Sequence, residues 1–545
     1  MKRSLVVMAA LFAGLTSMAQ DFGSFTGGFE SNTQWYQNDD GIDFEAPRDR
    51  LRSNNYFRLD YNLGAFTAGM QYEAYAPTSL LGYSPNLDGN AIATYYFNYK
   101  RQGLDITAGY FYDQFGSGLV FRSWESRQLG INTAMRGVRV AYDFKDYLRV
   151  TGFTGNQRNG FELSEGTVSG VNAEFDLGTA AGWESNSLTF GASYINRYNE
   201  STNPDPDFPS VVGAYSARVD YNSADGFFGG YEFAYKEGDA VTSFNQLLTE
   251  RYFDGTAHLL NLGYSRKGLG INATLRRIEN WNFYSDREAR GNQFNEQLIN
   301  YIPALTKQQD YLLTNIYVYA AQPSLNLSEN RFGEIGGQMD LFYTFKKGSA
   351  LGGKYGTKLA ANFASWYGLD GTADLAGVNY ETDFLGTGDL AFQEVSLEVR
   401  KRFNKNFNGI FTAVRSEYNP QIIEGSPSDN YKSLIFVADL TQRLGNGRSI
   451  RWEGQHLSSK QDRGNWAASV LEYNVNTRLA VFASDVWNYD ETDIHYYTFG
   501  TAYASGNTRV AFQWGRQRGG LVCVGGVCRF VPENNGFTLN LSALF

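Results

Sequence analysis

Three histidines, His258, His456 and His495, are the only imidazoles in the 545-residue chain, and imidazole is the side chain best suited to moving protons near neutral pH. Ser458, Asp490 and Asp493 lie close to two of them in sequence. Together these are the residue types of a Ser–His–acid hydrolase with a site at the rim of the fold. Their spacing matches no nucleophile motif, and the ordinary reading is polar residues where strands end and loops begin. No catalytic residue is assigned. Asn38-Asp39-Asp40 and Asp205-Pro206-Asp207 offer oxygen ligands of the kind calcium takes, but neither completes a loop signature, and Asp/Asn-rich turns are common. No metal site and no cofactor are expected. Cys523 and Cys528 are the only cysteines. Val522-Cys523-Val524 and Val527-Cys528-Arg529 flank Gly525-Gly526, which suits a two-residue hairpin turn that sets the cysteines opposite each other in disulfide range.

The elements that carry these residues alternate in polarity with a period of two. Phe57, Leu59 and Tyr61 alternate with Arg58, Asp60 and Asn62. Tyr95, Phe97 and Tyr99 alternate with Thr94, Asn98 and Lys100. Val395, Leu397 and Val399 alternate with Glu394, Ser396, Glu398 and Arg400. Such segments meet at tight turns near residues 63–64, 101–103, 144–146, 266–268, 404–406, 445–447, 475–477 and 505–507. Between successive turns run longer polar connections at 37–53, 76–90, 114–135, 157–167, 197–209, 237–255, 280–333, 367–388 and 419–430. Strands with one greasy and one polar face, short turns on one rim and long loops on the other describe a transmembrane β-barrel. The chain closes on such a strand: Phe537, Leu539, Leu541 and Phe545 share one face, while Thr538, Asn540 and Ser542 share the other. The strand from His495 to Tyr503 has aromatics on both parities, so its faces stay unassigned.

The amino terminus agrees. Lys2-Arg3, an apolar run from Leu5 to Leu15 and Ser17-Met18-Ala19 make a secretory signal peptide over residues 1–19. The run is shorter than the roughly 20 residues a membrane helix needs. Residues 20–545 are expected to form the barrel, with no amino-terminal plug domain. The aromatic content of 16%, mostly Tyr and Phe, fits strands and membrane interfaces. A formal net charge of −10 without a basic stripe argues against nucleic acid. The fold read from these features is all-β, a single antiparallel transmembrane barrel of about 24 strands (about 22–26), an even number as bacterial barrels require. Its location is the cell outer membrane, and its partners are outer-membrane lipid and, during biogenesis, the barrel-assembly machinery.

Two loops are too apolar for water. One carries Phe115, Phe121 and Trp124, with Gly116 and Gly118 lending backbone freedom. The other carries Tyr301, Ile302, Leu305, Tyr311, Tyr317 and Tyr319. They either pack on each other as a cap, or occlude the lumen or form a ligand site; as a scaffold the barrel would bind partners through them. With Phe115-Gly116-Ser117-Gly118-Leu119, Tyr301-Ile302-Pro303-Ala304-Leu305-Thr306-Lys307-Gln308 and the Cys523-to-Cys528 loop in view, the chain resembles a family of Bacteroidota outer-membrane barrels catalogued as a domain of unknown function. The resemblance spans the mature chain and implies location and fold, without an activity. The leading functional expectation is a pore or carrier for small solutes. Its rivals are a non-transporting scaffold for surface or secretion partners and an outer-membrane hydrolase.

Overall fold

Strand Ser24–Tyr36 pairs on one side with Leu51–Leu63 and on the other with Asn534–Leu544, the last strand of the chain, so the sheet has no open edge there. The computed structural model describes residues 23–200, 203, 205–243, 246–303, 305–524 and 527–545, and the expected signal peptide lies outside them. Sequence neighbours pair antiparallel throughout, giving a closed sheet of 24 strands. Three small two-stranded pieces stand apart from it: Gln114–Phe115 with Phe121–Arg122, Glu125–Ser126 with Ile131–Asn132, and Gly520–Val524 with Val527–Val531. Because the last of these is extra to the wall, Thr508–Gln517 pairs directly with Asn534–Leu544.

Alternation sets the two faces. Phe97 and Leu397 point outward and are 67% and 46% exposed, while Asn54, Gln71, Glu73 and Ser396 on the opposite parity are buried inside. Phe57 also faces outward, its ring 6.2 Å from that of Phe545. Among the residues of the strand Ile494–Ser505, Tyr496 turns inward against buried neighbours, whereas His495, Tyr497 and Phe499 turn outward beside Trp487 and Trp514.

All eight tight turns lie on one rim. The opposite rim departs from the sequence reading at three connections. Residues 237–255 and 367–388 are largely not loops: Phe227–Ser243 with Gln246–Arg266, and Thr357–Asp374 with Asn379–Arg402, run on as long hairpins. Residues 157–167 shrink to a two-residue turn between Leu148–Asn159 and Glu162–Asp176. These stretches read as loops because their apolar residues keep no steady period of two, yet main-chain pairing continues through register shifts near Asp239 and Leu369. The two long hairpins are fastened by Leu325, Leu327 and Phe332, which pack with Val241 and Leu369.

The closing strand sits under the first. Phe545 and Gly27 exchange main-chain hydrogen bonds of 2.9 and 3.0 Å, and Phe537 stacks among Trp35, Phe512 and Trp514. Deleting Leu544 and Phe545 removes the last pairings with both neighbours. Assembled barrel, measured as the fast-migrating unboiled band in a denaturing gel, is expected to fall sharply while total exported chain is unchanged. Normal levels of the folded band would contradict this role for the carboxyl terminus.

Candidate functional site: the barrel interior

The first apolar loop leaves the wall after Leu104–Phe111 and turns back at Gly116 and Gly118, whose φ angles of 54° and 96° suit glycine. That turn drives Phe115, Leu119, Val120 and Phe121 inward, where they are fully buried against Phe153, Val168 and other inward wall residues. The Phe121 and Phe153 rings are 4.4 Å apart. The long connection between Leu269–Glu279 and Gly333–Phe345 enters the same cluster with Trp281, Phe283 and Ile299, and Ile302 and Leu305 pack on it. The two segments are bonded as one body. Trp281 Nε1 donates to the Leu119 carbonyl at 3.0 Å, Arg122 N donates to Ile299 O at 2.8 Å, and Tyr301 N donates to Gly118 O at 3.0 Å. The Arg122 guanidinium lies 3.9 Å from the centre of the Tyr301 ring and 5.1 Å from that of Trp124, a cation–π clamp.

Leu305 touches a second cluster as well, on another part of the wall. There Tyr311, Leu313, Tyr317 and Tyr319 are buried among Trp366, Phe392, Val414, Ile435, Leu457 and Trp466. Trp366 Nε1 donates to Leu305 O at 3.0 Å, Leu313 N to Gln455 Oε1 at 2.9 Å, and the Tyr317 hydroxyl to Asp462 at 3.0 Å. The connection 280–332 therefore crosses the interior, gripping wall strands from both halves of the chain. All nine apolar loop residues singled out in the sequence belong to this inner body.

Its charged fastenings were not legible in sequence. Arg276, on the inward parity of its strand, donates to Glu334 of the next strand, to the Pro303 carbonyl of the crossing segment and to the Tyr319 hydroxyl. The Tyr319 hydroxyl in turn donates to Glu334 at 2.5 Å, and Gln322 N reaches the same carboxylate at 2.9 Å. Asp239 accepts from Arg197 of the wall and Arg287 of the segment, both at 3.0 Å. Glu73 and Arg158 form a buried two-point pair at 2.6 and 2.8 Å. Isolated buried ions cost several kcal/mol each, so the contacts of Arg276, Glu334 and Asp239 fix where the segment sits, while Glu73 and Arg158 tie one part of the wall to another. An inward-parity arginine was the available signal.

Glu296, on the crossing segment, is an exception because no cation among the described residues pairs with it directly. Burial raises its pKa from 4.5 to about 7, against the lowering effect of hydrogen bonds from Ser84 and Asn86 and of the more distant Arg158 charge. A raised folded pKa favours the docked state fully below pH 4.5, and that contribution is lost as pH rises through about 7. The loss amounts to about 3 kcal/mol. Hydrogen exchange of amides 292–300 is expected to quicken from pH 5 to pH 8 beyond the intrinsic rate, and Glu296→Gln is expected to abolish that excess. An equal excess in both proteins would refute it.

Beside the inner body lies a cavity of about 1070 Å³. It lies between residues 306–319 and the wall where the last strands meet the first. Leu521, Val522 and Cys523 cover part of it. These belong to the hairpin that Cys523 and Cys528 close as a disulfide, the two facing each other in register with Cα atoms 4.0 Å apart. The turn residues Gly525-Gly526 lie outside the described residues. Arg529 anchors the hairpin inward: its guanidinium sits 3.9 Å from the Tyr83 ring centre and donates to Leu81 O and Gln128 O.

The histidines do not meet here. All three face outward: His258 bonds Tyr231 at 2.8 Å, His456 bonds Tyr489 at 2.8 Å, and His495 bonds Asp485 at 2.7 Å. Asp490 instead accepts from Asn465, and Asp493 from Trp487. Among the described residues no serine hydroxyl hydrogen-bonds to an imidazole, and no group of three or more His, Cys, Asp or Glu is placed to hold a metal ion. Asp39 is engaged by Arg516 and Asp205 by Tyr252.

A family model described as a family of unknown function (DUF6029) matches residues 1–545. The chain belongs to that family. No curated protein matches it. Solved structures similar to it include the P pilus usher PapC translocation pore, at 9% identity over 96% of this chain and 99% of that one, with a TM-score of 0.44. The siderophore receptor PirA from Pseudomonas aeruginosa is similar at 11% identity over 97% of this chain and 81% of that one, with a TM-score of 0.44. A BenF-like porin from Pseudomonas fluorescens Pf-5 is similar at 8% identity over 96% and 98%, with a TM-score of 0.36.

Proposed function

We propose that this DUF6029 protein is an outer-membrane barrel that passes small hydrophilic solutes through a passage narrowed from within. On this reading, residues 1–19 direct export, lipid covers the outward aromatic and aliphatic wall, and the barrel-assembly machinery inserts the mature chain. The carrying observation is the unequal filling of the interior. Apolar packing and buried ion pairs occupy much of it, whereas polar cavities remain, one of about 1070 Å³ along the wall where the chain closes on itself and one of about 470 Å³ beside Gln71, Asn98 and Arg139. A barrel of this many strands leaves a channel unless it is filled. Segments 112–134 and 280–332 then act as the constriction, and their protein contacts are internal.

Purified full-length protein in planar bilayers tests the reading. Small, reproducible conductance steps are expected, well below those of an empty barrel of equal strand count. Silence from protein that still shows the heat-modifiable band, together with a stoichiometric co-purifying partner, would replace the conduit with a scaffold.

A further inference from the structure

The larger cavity has a consistent chemistry. On the first strand Gln34 stands opposite Thr538 of the closing strand, and Thr538 stands opposite Gln513 of the strand beyond. One step along, Asn32 stands opposite Asn540. Their alternate neighbours Trp35, Phe537 and Trp514 stack together on the outer wall, which leaves the amides and hydroxyls to line the cavity. Facing them across the open space, the crossing segment presents Thr306, Gln308, Thr314 and Asn315.

Two properties separate this lining from the rest of the interior. First, the side-chain amides of Asn32, Gln34, Gln308, Gln513 and Asn540 take part in no hydrogen bond among the described residues, although many other inward amides do. Each primary amide offers two donors and an acceptor, and here both are presented to the cavity. Second, its border carries charges of both signs. Glu30 pairs with Arg127 at 2.7 Å, Arg516 with Asp39 at 2.6 Å, and Lys307 lies 3.8 Å from Glu398, whereas Asp310, Glu394 and Arg518 form no ion pair among the described residues. Tyr36, Tyr83 and Tyr317 complete the lining, their rings packed on Phe44, Arg529 and Tyr418 so that edges rather than faces border the open space.

We infer that the cavity accepts neutral polyhydroxylated solutes, that is, small saccharides; this rests on the conduit reading. A saccharide carries hydroxyls that both donate and accept, C–H faces that lie on aromatic rings, and no net charge. Amides and hydroxyls on two facing surfaces match the first property, ring edges of the tyrosines border the second, and a border carrying both signs, which favours neither a cation nor an anion, matches the third. An oligomer of one charge sign would lose hydration there and meet like charges as well as opposite ones, Asp310 and Glu394 on one side of the balance and Arg518 on the other. The volume, near the top of the range for ligand sites, has room for about three hexose units.

Maltotriose is the probe, with trilysine and triglutamate as charged oligomers of similar length. Binding to the folded full-length protein is read by calorimetry in detergent, and uptake by proteoliposomes. Maltotriose is expected to bind saturably and to enter, and the charged oligomers to do neither. The double variant Gln34→Leu/Gln513→Leu is expected to weaken maltotriose binding about tenfold through two lost hydrogen bonds, with its heat-modifiable band intact. Charged oligomers binding and entering as well as maltotriose would overturn the saccharide assignment and leave the conduit standing. An unchanged maltotriose affinity in the double variant would also overturn the assignment to this lining. Binding without entry would uphold the ligand class and overturn the conduit. Neither binding nor entry of any probe would overturn both.

Discussion

Replacing residues 301–323 by a short Gly–Ser bridge is expected to raise single-channel conductance on the order of tenfold, because an emptied barrel of this width leaves a broad aqueous channel. The deleted stretch carries Tyr311, Leu313, Tyr317 and Tyr319, the side chains that reach the second wall cluster. Residues 280–300, with Trp281, Phe283 and Ile299, remain packed on the first. The wall strands on either side are untouched, so the barrel should still close and keep its heat-modifiable band. Unchanged conductance, with the native segment cut readily by protease on intact cells, would mean that the segment projects outward, and the scaffold reading would then prevail.

The second large effect is expected at Arg276. Arg276→Met leaves the Glu334 carboxylate buried beside Tyr319 without its cation and removes the bond to the Pro303 carbonyl. Removing one partner of a buried pair typically costs about 3–5 kcal/mol. The wall has its ladder of main-chain bonds, so the cost falls on docking of the inner segment. Hydrogen-exchange protection of amides 305–322 is expected to drop by about two to three orders of magnitude, with the barrel band preserved. Adding Glu334→Gln should recover much of the loss, because the stranded charge is then gone. Protection equal to wild type in Arg276→Met would show that the pair does not hold the segment.

Strand number, closure and the short-turn rim were legible because each depends on local pattern. Two-residue alternation around Phe57, Phe97 and Leu397 sets a face wherever one side meets an apolar medium, and Gly-Asn-rich turns end strands within a few residues. The projecting hairpins near Glu237 and Asp370 were not legible, since Val241, Leu369 and Tyr380 are scattered among polar residues without a steady period of two and register shifts interrupt the pairing. The apolar content of the inner loops drew attention to Phe115 and Tyr319, but the polar seam did not stand out. Gln34 and Gln513 lie 479 residues apart in number and become neighbours only through Thr538 of the closing strand. The same holds for Arg276 with Pro303, which meet only when the segment after the strand folds back across the interior.

The crossing segment is leashed at both ends, running without a break from one wall strand into the next. A stopper held this way can swing aside but cannot be lost. Short tethers keep a detached chain near its berth at an effective concentration in the millimolar range, so recapture is rapid and independent of protein concentration. Openings should therefore show as brief flickers on a steady current rather than as lasting steps, and every excursion restores the molecule to its starting state.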